Sequence, residues 1–190
     1  DETVLLEHLS YKDAIELAYY GASVIHPKTI QPLKKKEIPL HVKSFVNPDL
    51  TGTLVGMDDY EKLIPSFIFK MDQVLIHISA RDFSFVTEDS LSIIMGSFAL
   101  HGLKINLMQN TAISFQVCVN NDENRIARVI TELEKQFKIE KETELELVTI
   151  RYYDQETIER VTIDKEIMLE QHNRTVAQMV MKDVSNNVEK

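Results

Sequence analysis

The chain has 190 residues, 44% hydrophobic and 27% charged, with a net charge of -9, a composition that fits one large or two small globular domains. That charge, with no basic run beyond Lys34-Lys35-Lys36, argues against nucleic acid as a partner. No apolar run reaches the roughly 20 residues of a membrane span, no signal-peptide pattern opens the sequence, and the single cysteine, Cys118, cannot close an internal disulfide. A cytoplasmic protein without a CxxC or HExxH metal site is expected.

Ser10-Tyr11-Lys12-Asp13 opens the first helix, because the serine can accept from first-turn amides and Ala14, Leu17 and Ala18 recur at helical spacing. Gly21 stops that helix, and Pro27 starts a second with Ile30 and Leu33 inward. Ile38 to Ser44 alternates as a strand, and Asn47-Pro48-Asp49 with Gly52 marks a turn. This region contains no nucleophile-base pair and no glycine-rich phosphate loop.

The stretch SYKDAIELAYYGASVIHPKTIQPLKKKEIPLHVKSFVNPDLTGTLV, Ser10 to Val55, resembles the end of the catalytic domain of aspartokinases, with its ELAYxGAxVxHPxTIxP pattern, IPxxVK, an Asn-Pro turn and GTxV. Ser23 stands where many members carry a lysine near the nucleotide phosphates, so no nucleotide role transfers to it. His26, ahead of Pro27, reads as a helix cap and not as a catalytic group. The resemblance implies that an N-terminal kinase domain, with its Lys-Phe-Gly-Gly motif and its aspartate and phosphate contacts, belongs upstream. The parent would then transfer the γ-phosphoryl group of MgATP to aspartate, while this portion carries no catalytic residue, metal site or cofactor and is expected to be inactive alone.

Met57 to Leu63 reads as a polar connection, followed by a strand at Ile64 to Phe69 and another at Val74 to Ser79 with His77 turned to solvent. Thr87 caps a helix whose Leu91, Ile94, Met95 and Phe98 form one stripe, closed by Gly102. Lys104 to Asn120 is a hairpin: Ile105 and Leu107 alternate in its first strand, and Ile113, Phe115, Val117 and Val119 point one way in its second. Asn121-Asp122 caps another helix with Ile126, Val129, Ile130, Leu133 and Phe137 inward, and Ile139 to Leu147 is the last strand of the set. This βαββαβ order predicts an antiparallel sheet with both helices on its one apolar side. Beyond it the alternation changes parity, from Leu145 and Leu147 to Val148, Ile150 and Tyr152, which is read as a crossing into another sheet. Strands at Val148 to Tyr152, Ile167 to Leu169 and Val176 to Met181 follow, with a short helix or turn at Thr157 to Val161.

Val74 to about Glu144 resembles the first ACT domain of aspartokinases, which in that family is inserted into a second. The fold class expected is therefore α+β: a ferredoxin-like βαββαβ ACT domain at 74–144, inserted into an abbreviated ACT-like unit at 57–73 and 145–184. Ahead of it stands a helix-helix-strand remnant of an α/β kinase domain at 1–56, and 185–190 is a polar tail. The missing long helix of the second unit sets it apart from the family pattern and argues against a second effector site there.

A free amino acid carries a carboxylate and an ammonium on one carbon, so its site needs amide donors beside carbonyl acceptors. The loop entering the helix, Asp82, Phe83, Ser84, Phe85, Val86 and Thr87, offers the first, and the strand residues Ile105, Asn106 and Gln109 offer the second, in a segment resembling the one that lies against an effector. Asn106 and Gln109 can equally serve by satisfying hairpin backbone groups. Lysine would add a second ammonium, for which Asp82, Glu88 and Asp89 are candidates. The resemblance implies feedback inhibition by lysine or threonine at a homodimeric ACT interface. A stand-alone amino-acid sensor and a ligand-free dimer clamp are the other readings.

Overall fold

The structure, a computed structural model, describes residues 3–22, 25–57, 64–82 and 84–184. Ser23, Phe83, residues 58–63 of the expected connection and the 185–190 tail lie outside the described residues. The chain divides into two compact units, Asp1–Ile64 and Pro65–Lys190.

In the first unit, Ser10 ends strand β1 (His8–Ser10) and caps helix α1 (Tyr11–Tyr20), its Oγ accepting the Asp13 N–H at 3.0 Å. Gly21 closes the helix at φ 129°, its N–H donating to the Leu17 carbonyl at 3.1 Å. Helix α2 (Pro27–Lys35) starts under His26, whose Nδ1 accepts the Lys28 N–H at 3.2 Å, so His26 is a cap. The strand expected at Ile38 to Ser44 is only β2 (Leu40–Val42), antiparallel to β3 (Thr53–Gly56), which runs parallel to β1. β1 and β3 are too short to announce themselves by alternation. Tyr11, Ala14, Ile30 and Val55 form the core, and the Tyr11 hydroxyl donates to the Ile38 carbonyl. Gly52 sits at φ +69°, where a Cβ would come within 2.3 Å of the Val42 carbonyl oxygen, so the Gly of the GTxV pattern is a close-approach requirement.

The second unit is one six-stranded sheet in the order β5-β6-β4-β7-β9-β8. Its strands are β4 (Ser66–Ala80), β5 (Ile105–Asn110), β6 (Ser114–Asn120), β7 (Phe137–Arg151), β8 (Lys165–His172) and β9 (Val176–Asp183). The helices are α3 (Glu88–Leu100), α4 (Glu123–Leu133) and α5 (Gln155–Thr162). The two strands expected at 64–69 and 74–79 are the single 15-residue β4, and those expected at 139–147 and 148–152 are the single 15-residue β7. The switch from Leu145 and Leu147 to Val148 and Ile150 is not a crossing into another sheet: the ladders run unbroken there, with the first pair on one apolar side and the second on the other, and the irregularity of β7 lies upstream. Lys70 pairs with Leu147, Gln73 with Leu145 and Leu75 with Glu142, so each strand carries one extra residue, near Asp72 (φ 53°) and Glu144 (φ 60°).

Those extra residues restore facing. Val74, Ile76 and Ile78, before which the bulge falls, share a side with Phe67, Val148 and Ile150. All three helices cover that side, α3 and α4 through Ile94, Phe98, Ile126, Val129 and Leu133, and α5 through Ile158 and Val161. The opposite side is not purely polar, as the sequence pattern had it: Leu75, Leu107, Cys118, Leu145, Leu147, Leu169 and Val180 form a second apolar cluster there. Other expectations shift by short distances. Phe137 opens β7 instead of continuing α4, Met95 is 39% exposed on α3, Ile113 lies in the turn ahead of β6, and His77 is half-buried with Nε2 3.3 Å from a Glu142 carboxylate oxygen.

The strand order contains the ferredoxin-like arrangement twice. Read from one edge it is β5-β6-β4-β7, and from the other β8-β9-β7-β4, so each half borrows its last strand from the other's first. Ile76 is fully buried under the helices, and Ile76→Ala is expected to cost about 2–5 kcal/mol in urea unfolding. Gly52→Ala is expected to speed amide hydrogen exchange across β2–β3 while leaving exchange in the six-stranded sheet unchanged.

Candidate functional site

The sequence-predicted site residues fall into two groups at the two ends of edge strand β5. At one end, β4 gives way to the loop before α3. Asp82 Oδ1 accepts the Ser84 N–H at 3.1 Å, and the Ser84 hydrogen bonds hold this exposed carboxyl below its ordinary range. Ser84 is exposed, Phe85 is 72% exposed, and Phe83 lies outside the described residues. Val86 is buried and donates its N–H to the Ala112 carbonyl at 3.0 Å, which fastens the loop to the β5–β6 turn. Thr87 caps α3 by accepting the Ser90 N–H, with Glu88 and Asp89 in the first turn. Gln109 is exposed at this same end, paired across the ladder with Gln116.

At the other end of β5 stands Asn106. Ile105 packs on the helix-side core, and a bulge between Ile105 and Leu107 turns the next residues to the opposite side. There the Asn106 amide is the hub of a network of side chains, not of hairpin backbone groups. Its Oδ1 accepts from Lys70 Nζ at 3.0 Å, and its Nδ2 donates to Gln73 Oε1 at 2.9 Å and Asn120 Oδ1 at 2.7 Å. Gln73, 1% exposed, donates in turn to Asn120 Oδ1 at 3.1 Å and to the Met71 carbonyl at 2.9 Å. The buried amide thereby satisfies a carbonyl that the β4 bulge takes out of the ladder. Lys70, Gln73 and Asn120 did not emerge from the sequence reading. Their signal was the bulge itself, which sets Lys70 and Gln73 on one face although they are three positions apart.

Burial, and then the neighbouring Lys104, lower the Lys70 ammonium's proton affinity below the ordinary lysine value. Cys118 is fully buried beneath the network, its Sγ 3.6 Å from Gln73 Oε1, and burial pushes its thiol up to about 12. Among the described residues no group of three or more His, Cys, Asp or Glu side chains could hold a metal ion.

The second half repeats the frame without the amides. The bulge at Ile167/Leu169 matches that at Ile105/Leu107, and Leu169 pairs with Val180 as Leu107 pairs with Cys118. Following the ladders inward, Leu147 takes the place of Leu75, Leu145 that of Gln73, Met168 that of Asn106 and Glu142 that of Lys70. The amide cluster is therefore confined to one half.

Two interlocked ferredoxin-like halves on one sheet, with an amide cluster in only one of them, have the arrangement of tandem ACT repeats. The chain is similar in sequence and in fold to parts of aspartokinases. No protein-family model matches it. It is 29% identical over 143 residues to the bifunctional aspartokinase/homoserine dehydrogenase of Haemophilus influenzae, covering 68% of this chain and 16% of that protein. A chloroplastic bifunctional aspartokinase/homoserine dehydrogenase 2 of Zea mays is 27% identical, covering 72% of this chain and 16% of that one. Among solved structures, the aspartate kinase of Clostridium acetobutylicum shares the fold with a TM-score of 0.81 at 18% identity, over 98% of this chain and 47% of that one. Aspartokinase III of E. coli in complex with lysine and aspartate, T-state, gives 0.75 at 18% identity, over 97% of this chain and 46% of that one. The chain spans only 15% to 16% of the first two curated relatives' length. Among the described residues no helix is long and apolar enough to cross a membrane.

Because its thiol lies so far above neutral pH, Cys118 is expected to be inert to Ellman's reagent at pH 8 in the folded chain and to react fully in guanidinium. Fast reaction in the native state would show that the second apolar cluster is open.

Proposed function

We propose that this chain is the regulatory region of an aspartate kinase and that it binds an end-product amino acid, lysine first and threonine next, as a feedback inhibitor. The parent enzyme transfers the γ-phosphoryl group of MgATP to the side-chain carboxylate of aspartate, the first step toward lysine, threonine and methionine. Its nucleotide and substrate contacts belong to an N-terminal kinase domain. The compartment is the cytoplasm, as the composition leads one to expect.

The observation that supports this reading is the split of the site along β5. Strand β5 is an edge of the sheet, and a homodimer that pairs two copies of β5 antiparallel buries both edges. Centred near Leu107 and Met108, such a pairing sets the Asp82–Thr87 loop of one copy opposite Lys104 and Asn106 of the other. A zwitterion between them meets the loop's N–H donors and carboxylates on one side and the amide hub on the other. Both Asn106 amide hydrogens are already donated, but Oδ1 has a second lone pair for an ammonium. Asp82, Glu88 and Asp89 suit a second ammonium, which favours lysine over threonine. An effector that prefers one state of the parent needs a coupling of only about 1–3 kcal/mol to change affinity roughly 5- to 150-fold.

The internal saturation of the amide hub favours a second reading, a dimerising clamp that binds nothing. Calorimetry of the chain with lysine, threonine and methionine separates the two. Heat and a raised melting temperature with lysine are expected, and silence with all three leaves the clamp. Asn106→Ala is expected to weaken lysine binding at least about tenfold with the dimer unchanged in light scattering.

A further inference from the structure

Resting on the effector reading above, we infer that Lys70, assisted by Lys104, is the anchor for the α-carboxylate of the bound amino acid. Lys70 lies in a central strand, two strands in from the edge, and its side chain reaches along the sheet face to Asn106. That amide oxygen, 3.0 Å away, is its only hydrogen-bond partner among the described residues, whereas an ammonium has three donors to give. The ionisable groups that act on it are Lys104 and Cys118, and no carboxylate is among them. A half-buried ammonium beside a second ammonium has lost hydration without gaining an acid, and an anion at that spot relieves both deficits. This happens in a chain whose net charge is -9, so the cationic spot is not a sample of the general surface.

The neighbouring groups also distinguish an amino acid from a simple anion. Lys70 Nζ and Asn106 Oδ1 stand side by side, one a cationic donor and the other a neutral acceptor. That pair matches a carboxylate and an ammonium borne on one carbon. In the other half the position of Lys70 is held by Glu142, which repels a carboxylate, and the position of Asn106 by Met168. The same backbone frame is thus selective for the ligand's acid group in one half only.

The test titrates the full 190-residue chain and Lys70→Met with lysine, with threonine and with the α-amide of each, in the calorimeter. The unaltered chain is expected to prefer the acid over the amide by about 10- to 100-fold. Lys70→Met is expected to lose that factor for the acid and to bind the amide as before, with an unchanged melting curve for the free chain. Equal loss for acid and amide, no loss for the acid, or an acid-to-amide ratio near one in the unaltered chain overturns the assignment. Should the unaltered chain bind no amino acid at all, the effector reading fails and takes this inference with it. Binding that is indifferent to Lys70 removes this inference alone.

Discussion

The pairing of β4 with β7 is the constraint on which the second unit depends. These two strands run through both ferredoxin-like halves, and each carries an extra residue where one half gives way to the next, near Asp72 and Glu144. A strand turns its side chains to alternate faces, so without those residues Phe67 and Val148 would oppose Val74 and Ile76, and one set of helices would cover the wrong side. The cost is a pair of left-handed residues and carbonyls displaced from the ladder. Gln73 offsets part of it by hydrogen-bonding the Met71 carbonyl, and in doing so it places a buried amide within reach of Asn106. The polar hub thus follows from the way the halves are joined.

Much of this was legible in the sequence because the helices and inner strands obey simple periods. The α3 and α4 stripes, their Thr87 and Asp122 caps and the β5–β6 hairpin stand close to where the pattern placed them. The errors cluster where two rules compete. Phe137 has the right spacing to extend α4, but it is the first buried residue of β7, and periodicity cannot distinguish these. The switch of apolar residues after Leu147 was visible, yet a strand buried on both faces and a change of sheet leave the same trace in one strand. Only the partner register, which belongs to two strands at once, separates them.

Of the amide network, only Asn106 was legible in the sequence, and its arrangement was not. Asn106 was identified as a side chain able to donate and accept at once, and it does both. Its partners Lys70, Gln73 and Asn120 come from strands separated by as many as 36 residues in sequence, and nothing local marks them as neighbours. The loop Asp82–Thr87 was grouped with Asn106 because a zwitterion needs amide donors beside acceptors, whereas the register puts them at opposite ends of β5.

The exchange of strands between the halves also governs how such a region can be inherited. Because β4 and β7 each complete both halves, removing either strand breaks both halves at once, and neither half can be lifted out as a self-sufficient module. Duplication, fusion or transplantation must therefore carry the pair entire. Divergence between the halves, with a lysine and amides on one side and a glutamate and leucine on the other, has to arise by substitution within a frame that stays whole.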